Sequence, residues 1–259
     1  MPTPPLPGRP TGADEPITVL AIHGNGGGAF RFSLVPELSG RRPIALQPMT
    51  LPGFQGRPLP SGPVDMSTFT DAVRKALAGI EGRKVLLGHG IGGSIALDVV
   101  ANDPDVADGL ILLSPVGVKL DERLFPRIMA NPRIRRAAKA IISSSVMQST
   151  AGRFLFRGAP RPFAKRFLAE YGNAEAFEIM FELLDAAWFD GLPPVRLPVA
   201  IVWGAKDRVL DVSHVEAYEQ AIPDSRRIIR PQWGHYPMIE QPEDFAAAVA
   251  EIASDLVSS

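Results

Sequence analysis

The sequence predicts an α/β fold in which helices cover both faces of a mostly parallel central sheet. Two short apolar runs, residues 17–22 and 109–113, have the composition of strands that are buried on both faces. Segments with helical spacing alternate with such runs, as is typical of parallel sheets. The alternation stops between about residues 117 and 190, which predicts a helical insertion into the sheet domain.

Length and composition limit the classes of protein to consider. A chain of 259 residues accommodates one large α/β domain with an inserted subdomain. With 46% apolar residues and a net charge of −1, the composition is that of an ordinary globular protein, which argues against disorder and general nucleic-acid binding. The absence of cysteine excludes disulfides, thiolate metal sites and cysteine nucleophiles.

The N-terminal part of the chain is predicted to alternate strands and helices after a Pro-rich tail at residues 1–14. This tail lacks the apolar stretch of a signal peptide, and no apolar run is long enough to span a bilayer. We therefore expect a cytoplasmic protein without a membrane span. The predicted elements are strands at 17–22, 43–46, 85–87 and 109–113, a helix at 67–78 capped by Ser67 or Thr68, and a helix that ends near Asn102.

The predicted insertion separates the core domain into two stretches of sequence. Residues 15–116 and 191–259 form the predicted core domain, and residues 117–190 form a helical cap with amphipathic pieces at 133–142 and 174–187. The alternation resumes after the insertion with predicted strands at 199–203 and 225–229 and helices at 214–221 and 242–256.

The predicted cap is rich in large apolar side chains and has an uneven charge distribution. Residues 119–166 carry basic groups almost exclusively, whereas residues 170–190 carry only acidic ones. We expect the two sets to pair across the subdomain; a basic rim for anionic substrates or a membrane surface is the alternative. Most of the large apolar residues are expected to pack the cap onto the sheet: Phe125, Met129, Phe154, Phe156, Phe163, Phe167, Phe177, Met180, Phe181, Trp188 and Phe189.

A glycine-rich turn between a strand and a helix is the most informative motif. Residues 84–97 read K-V-L-L-G-H-G-I-G-G-S-I-A-L. A nucleophile elbow has the pattern G-x-S-x-G in this structural context. Here residues 88–92 supply the frame, and Gly90 occupies the position of the nucleophilic serine. The pattern predicts a serine-hydrolase turn that lacks the hydroxyl.

Four further segments complete a resemblance to the α/β-hydrolase superfamily, in the branch with a helical cap. H-G-N-G-G-G at 23–28 is similar to that family's oxyanion loop, and L-P-G-F-Q-G-R-P at 51–58 to the loop after its next strand. W-G-A-K-D-R-V resembles the acid-bearing turn and implies Asp207 as the acid. Q-W-G-H-Y-P-M-I-E-Q-P-E-D-F resembles the histidine loop and implies His235 as the base.

The residues assigned in this way form most of a hydrolytic site. A buried carboxylate at Asp207 can fix the tautomer of His235 and stabilise its protonated form. The N–H of Ile91, at the start of a helix, is one expected oxyanion donor. The resemblance implies the N–H of Asn25 as the second. Glycine at position 90 avoids the Cβ penalty of a strained turn and leaves space beside His235 that a water can fill.

Other polar residues near the turn have structural interpretations. We expect Ser94 to point along the buried seam between helix and sheet. Ser114 should act as a hydrogen bonder at a strand end rather than as a nucleophile. His89 is expected to pack or hydrogen-bond behind the site, His23 to brace the oxyanion loop, and His214 to lie on the surface.

A dinucleotide-binding turn is an alternative, because Gly88, Gly90 and Gly93 also match G-x-G-x-x-G. That fingerprint needs an acidic residue near the end of the following strand, and the strand here ends at Leu113-Ser114. The alternative also leaves the segments around Asp207 and His235 unexplained, so we favour the hydrolase interpretation.

The sequence supports three functional hypotheses. In the first, His235 is the general base of an enzyme that acts on a small or medium hydrophobic ester, lactone or related carbonyl compound. The second is a non-catalytic ligand-binding pseudo-hydrolase, and the third is a serine hydrolase inactivated by a serine-to-glycine change. Each requires a small-molecule substrate or ligand, and none implies a metal or an organic cofactor; the oligomeric state stays open.

Overall fold

The computed structural model describes residues 15–40, 42–118, 131–144, 160–184 and 186–258. The predicted tail at residues 1–14 lies outside these ranges. So do four of the aromatic and methionine residues named for the cap, Phe125, Met129, Phe154 and Phe156.

A six-stranded sheet forms the centre of the fold, and its strands lie in the order β2-β1-β3-β4-β5-β6 with every pairing parallel. The expectation of a mostly parallel sheet is therefore confirmed. The strands are β1 (Ile17–Ile22), β2 (Ile44–Met49), β3 (Arg83–His89), β4 (Gly109–Leu113), β5 (Val199–Gly204) and β6 (Arg226–Arg230).

Both faces of the sheet are buried. In β1, Leu20 and Ile22 pack into one hydrophobic cluster, whereas Val19 and Ala21 pack into a second cluster on the opposite face. This arrangement follows from the two-residue period of side chains in a strand. It explains why the central strands are continuous apolar runs rather than alternating ones.

Helices cover the two faces. α1 (Met66–Ala78) and α2 (Ile91–Asn102) contribute to the first cluster, and the C-terminal α8 (Pro242–Leu256) to the second. The prediction that Ser67 or Thr68 caps α1 is wrong, because Asp65 is the N-cap and Thr68 is the third helical residue of a reciprocal capping box. The Asp65 side chain accepts from the Thr68 N–H at 3.3 Å.

The segment between β4 and β5 is helical where the structure describes it. α3 (Pro132–Ser143) confirms the predicted helix at 133–142, and α4 (Arg161–Asn173) is a helix that the sequence did not reveal. The predicted helix at 174–187 is wrong: two 3₁₀ turns, Glu175–Phe177 and Ile179–Phe181, precede the short α5 (Ala186–Asp190). Phe177 and Met180 are both buried at a spacing of three, which suits the 3₁₀ period as well as the α period.

The opposite charges of this segment pair with each other, as expected. Arg135 lies 2.6 Å from Glu182, and Arg136 lies 3.8 Å from Glu178. Aromatic side chains pack the segment onto both hydrophobic clusters, as expected for Phe163, Phe167 and Phe177.

The remaining elements bring two loops to the carboxyl edge of the sheet. β5 is followed by α6 (Val215–Ala221), and β6 by the short α7 (Pro237–Glu240), which leads into α8. His214 ends a 3₁₀ turn before α6 and is half-buried, with its ring 6.5 Å from that of Trp203. The histidine expected on the surface is therefore only partly exposed, because its ring lies near Trp203 of β5.

Candidate active site

The loops that follow β1, β3, β4, β5 and β6 meet at one edge of the sheet, because the carboxyl ends of parallel strands all point the same way. These loops carry Asn25, Gly90, Ser114, Asp207 and His235, respectively. Ligands bind at this edge in open α/β sheets. The candidate site lies here.

Gly90 forms the turn between β3 and α2. Its φ of 56° and ψ of −121° lie in a region that side-chain-bearing residues rarely adopt. The end of β4 fixes this geometry, because the Gly90 N–H donates to the Leu113 carbonyl at 3.1 Å and the Val116 N–H donates to the Gly90 carbonyl at 3.2 Å. The turn is therefore held from both sides by neighbouring backbone.

The glycines beside Gly90 serve a different purpose. A Cβ on Gly88 would lie 2.5 Å from the Gly93 Cα, and one on Gly92 would lie 2.5 Å from the His23 carbonyl oxygen. These glycines allow β3, α2 and the loop after β1 to approach closely. At Gly90 the nearest atom to such a Cβ is the Gly24 Cα at 3.7 Å, which is an ordinary contact. A Cβ therefore meets no clash at position 90, although the positive φ there would strain any residue that carries one.

Asp207 and His235 form a hydrogen-bonded pair between the loops after β5 and β6. His235 Nδ1 lies 2.8 Å from Asp207 Oδ2, and the other carboxylate oxygen accepts from the N–H groups of Val209 and Leu210, each at 2.8 Å. Burial by itself raises the pKa of Asp207, but the hydrogen bond from His235 and the two backbone donors outweigh it and lower the pKa.

The pair has a defined tautomer. An ionised carboxylate only accepts hydrogen bonds, so Nδ1 of His235 carries a proton, and in the neutral imidazole the lone pair is then on Nε2. His235 is 9% exposed, so the imidazole is shielded from bulk water. The arrangement can take a proton at Nε2 and stabilise the resulting imidazolium through Asp207.

The loop at residues 23–28 is held by specific contacts. His23 donates from Nδ1 to the Gly24 carbonyl at 2.8 Å and accepts at Nε2 from the Leu51 N–H at 3.1 Å, so it braces the loop as expected. Burial, the largest cause, lowers the pKa of His23 to about 3, which keeps the ring neutral. The Asn25 side chain donates to the carbonyl of Phe177 in the inserted segment at 3.1 Å.

Arg31 lies behind this loop and was missed from the sequence. It is 1% exposed, it donates from Nη2 to the Asn25 carbonyl at 2.8 Å, and its guanidinium lies 4.4 Å from the centre of the Phe167 ring and 5.5 Å from that of Tyr236. Within the described ranges no carboxylate pairs with it. Aromatic faces offset part of the cost of burying this cation. The only sequence signal is an arginine between two phenylalanines in A-F-R-F.

The two serines near the turn differ in their surroundings. Ser94 donates to the Val116 carbonyl along the seam between α2 and the sheet, as expected. Ser114 is fully buried, has a φ of 40°, and its hydroxyl has no hydrogen-bond partner in the part of the chain that the structure describes. The expectation that Ser114 is a strand-end hydrogen bonder holds for its backbone N–H, which donates to Val202 at 2.9 Å, but not for its side chain.

Metal-binding clusters and membrane-spanning helices are absent from the described ranges. No group of three or more histidine, cysteine, aspartate or glutamate side chains there could hold a metal ion. No helix in those ranges is both long and apolar enough to cross a membrane.

Comparison with known proteins gives the family. A sequence model described as the alpha/beta hydrolase family matches residues 19–248. The chain belongs to the alpha/beta hydrolase family. This membership replaces the dinucleotide-binding alternative for the glycine-rich turn.

Relatives within the alpha/beta hydrolase family include esterases. The chain is 25% identical over 237 residues to the pimeloyl-[acyl-carrier protein] methyl ester esterase of Neisseria meningitidis, covering 88% of this chain and 90% of that protein. It is 26% identical over 247 residues to an uncharacterized protein of Mycobacterium tuberculosis, covering 88% and 72%, respectively.

Solved structures confirm the alpha/beta hydrolase fold. A putative lipase from Acinetobacter baumannii superimposes with a TM-score of 0.73 at 17% identity, covering 93% of this chain and 84% of that one. A putative aryl esterase from Burkholderia cenocepacia has a TM-score of 0.71 at 19% identity, covering 97% and 93%.

Proposed function

We propose that the protein is an esterase-like hydrolase in which His235 activates water directly, because Gly90 supplies no nucleophile. The substrate class is a small or medium hydrophobic ester, lactone or related carbonyl compound. The observation that carries this proposal is the Asp207–His235 pair, which has its proton on Nδ1 and its lone pair on Nε2, at the same sheet edge as a turn with room for a reacting oxygen.

The proposed reaction has two proton transfers. Nε2 of His235 takes a proton from water as the water oxygen bonds to the substrate carbonyl carbon. The resulting imidazolium, stabilised by Asp207, returns that proton to the leaving alkoxide as the ester C–O bond breaks. A carboxylic acid and an alcohol leave, and the enzyme regains its starting state without an acyl-enzyme.

The proposed oxyanion hole consists of the N–H groups of Asn25 and Ile91. Ile91 is the first residue of α2, where a helix has no internal partner for its N–H. The helix dipole favours negative charge at this end. Arg31 holds the neighbouring peptide of the other donor, because it donates to the Asn25 carbonyl, which precedes Gly26.

The proposed substrate class rests on apolar surroundings and on relatives. Tyr171 and Phe177 of the inserted segment lie against the loop at residues 23–28. The Phe177 carbonyl accepts from the Asn25 side chain, and a Cβ on Gly26 would overlap the Tyr171 ring. A relative whose name describes a methyl ester esterase supports an ester substrate.

We also propose that residues 117–190 form a cap over a core of residues 15–116 and 191–259.

Two other functions stay in competition. A non-catalytic ligand-binding role is favoured by the lack of a nucleophile together with the unpartnered buried oxygen Asn25 Oδ1, which a ligand could satisfy. A serine hydrolase inactivated by a Ser→Gly change is favoured by the room for a side chain at position 90.

A panel of short- and medium-chain esters distinguishes these functions. The parent chain, Gly90→Ser, Gly90→Ala and His235→Ala are compared under identical conditions; Gly90→Ala is the matched control because it adds the Cβ without the hydroxyl. Water activation predicts parent activity that His235→Ala abolishes. An inert parent with activity restored by serine and not by alanine supports the inactivated hydrolase. If the parent and all variants are inert but esters raise the melting temperature of the parent, ligand binding is favoured.

A further inference from the structure

His89 lies between two loops of the candidate site, and the proposed reaction does not use it. It is the last residue of β3 and is fully buried. Its Nε2 is 2.8 Å from the His235 carbonyl oxygen, and the centres of the two imidazole rings are 4.6 Å apart. Since a carbonyl only accepts, Nε2 of His89 carries a proton and donates it.

The other side of the same ring supports the loop at residues 23–28. A Cβ on Gly24 would lie 3.1 Å from His89 Nδ1, so the imidazole lies close to the Gly24 backbone and leaves little room for a side chain there. The next residue is Asn25, whose N–H is a proposed oxyanion donor. One rigid side chain therefore contacts both the loop of the general base and the loop of the oxyanion hole.

The surroundings keep His89 neutral. Burial, followed by the nearby His235 and Arg31, lowers the pKa of His89 well below its usual value, and His23 acts in the same direction. Tyr236 is a further titratable neighbour, and its ring packs edge-on with the ring centres 5.5 Å apart. A neutral ring with its proton on Nε2 gives a fixed donor toward His235.

We propose that His89 is a positioning residue, which sets the separation between His235 and the oxyanion loop by holding the His235 carbonyl and supporting Gly24. The role rests on the proposed function, because it matters only if the two loops act on one substrate. The contacts themselves are independent of that function and can be tested separately.

The first test uses nuclear magnetic resonance and needs no activity. Long-range ¹H–¹⁵N spectra of ¹⁵N-histidine-labelled protein report the tautomer of each of the four histidines through carbon-bound protons. We expect His235 to keep its Nδ1–H tautomer in the parent and in His89→Gln, whose amide can donate in place of Nε2. In His89→Leu we expect a mixture of tautomers, because a displaced His235 loses the short contact with Asp207 that fixes its tautomer. His214→Gln is the histidine control.

The second test uses kinetics in the Gly90→Ser background. We expect His89→Leu to lower kcat tenfold or more while KM changes less than threefold, because a displacement of about 1 Å in a catalytic group has effects of that size. His89→Gln should recover most of the loss.

The outcomes separate this role from the proposed function. If His89→Leu folds with an unchanged His235 tautomer, the positioning role is wrong, even if its melting temperature falls. If it fails to fold, His89→Asn, whose shorter amide cannot reach the His235 carbonyl, takes its place. If the parent is inert on esters, the proposed function fails, whereas the tautomer comparison still decides whether His89 holds His235.

Discussion

The two sides of the candidate site differ in how completely their polar groups are paired. On the base side, both carboxylate oxygens of Asp207 and Nδ1 of His235 are hydrogen-bonded. On the elbow side, four buried polar atoms have no hydrogen-bond partner within the described ranges: Asn25 Oδ1, Arg31 Nε, His89 Nδ1 and Ser114 Oγ.

This contrast indicates how the two sides respond to change. Buried polar atoms are normally paired, so unpaired ones concentrate where water, a ligand or stored strain belongs. On the base side the hydrogen bonds of Asp207 and of His235 Nδ1 are all made, so we expect the loss of either residue to reduce activity strongly. On the elbow side there is open space next to Gly90. A Cβ added at Gly90 should therefore be tolerated better than a Cβ added at a neighbouring glycine.

The largest effect is expected on the base side. In the Gly90→Ser background, Asp207→Asn should lower kcat by about 10³- to 10⁴-fold, because an amide stabilises the wrong histidine tautomer. Steady-state ester hydrolysis measures this effect. Circular dichroism checks that the fold is kept. A loss below tenfold would mean that the base side is not the catalytic half.

The next effect compares two glycines of one turn. Gly92→Ala should cost about 3 kcal/mol or more of unfolding free energy, because its Cβ would lie 2.5 Å from the His23 carbonyl and the backbone must move. Gly90→Ala should cost only about 1–3 kcal/mol of backbone strain. Urea denaturation of the two variants measures the difference. Equal losses of unfolding free energy in the two variants would contradict the prediction that only position 90 has room for a Cβ.

Acid should destabilise the fold through its buried neutral histidines. His23 has a folded-state pKa of about 3 against an ordinary 6.5, so the unfolded chain binds more protons between these values. This contribution to stability is complete above pH 6.5 and is lost as the pH falls toward 3, with a slope of up to about 1.4 kcal/mol per pH unit.

Urea midpoints measured across this pH range test the slope. His23→Asn keeps a donor near the Gly24 carbonyl but cannot titrate. The dependence of the unfolding free energy on pH should therefore lose the contribution of about one proton. An unchanged slope would show that His23 is not the group that responds.

The smallest effect concerns Ser114. Because its φ is 40° and its hydroxyl is unpartnered, Ser114→Gly relieves backbone strain, whereas Ser114→Ala removes only the hydroxyl. We expect the glycine variant to be more stable than the alanine variant by about 1 kcal/mol. Thermal melts of both variants provide the comparison. A more stable alanine variant would show that the backbone at position 114 is not strained.

Much of the sheet domain could be predicted from the sequence. β1 and β4 agree with their predicted bounds because strands buried on both faces are uninterrupted apolar runs. The inserted segment was less predictable. α4 was missed, and the predicted helix at 174–187 proved to be 3₁₀ turns and a short helix, because its buried residues follow a spacing that both helix types share.

The candidate site shows the same division. The order of four loop motifs was enough to name Asn25, Gly90, Asp207 and His235, and the structure places all four at one sheet edge. Their catalytic roles remain a prediction. The burial of Arg31 could not be predicted, because two flanking phenylalanines do not by themselves show that an arginine is buried. The contacts of His89 could not be predicted either, because its partner His235 is distant in the chain.

The sequence by itself determined the parallel sheet, the family and the glycine at position 90, since these depend on local periodicity and on the identity of single residues. Tertiary structure decided which glycines are needed for close packing, which histidine nitrogens carry protons, and which buried polar atoms lack partners. Those properties depend on atoms contributed by distant segments, because hydrogen bonds and close contacts form only after the strands and loops have been brought together.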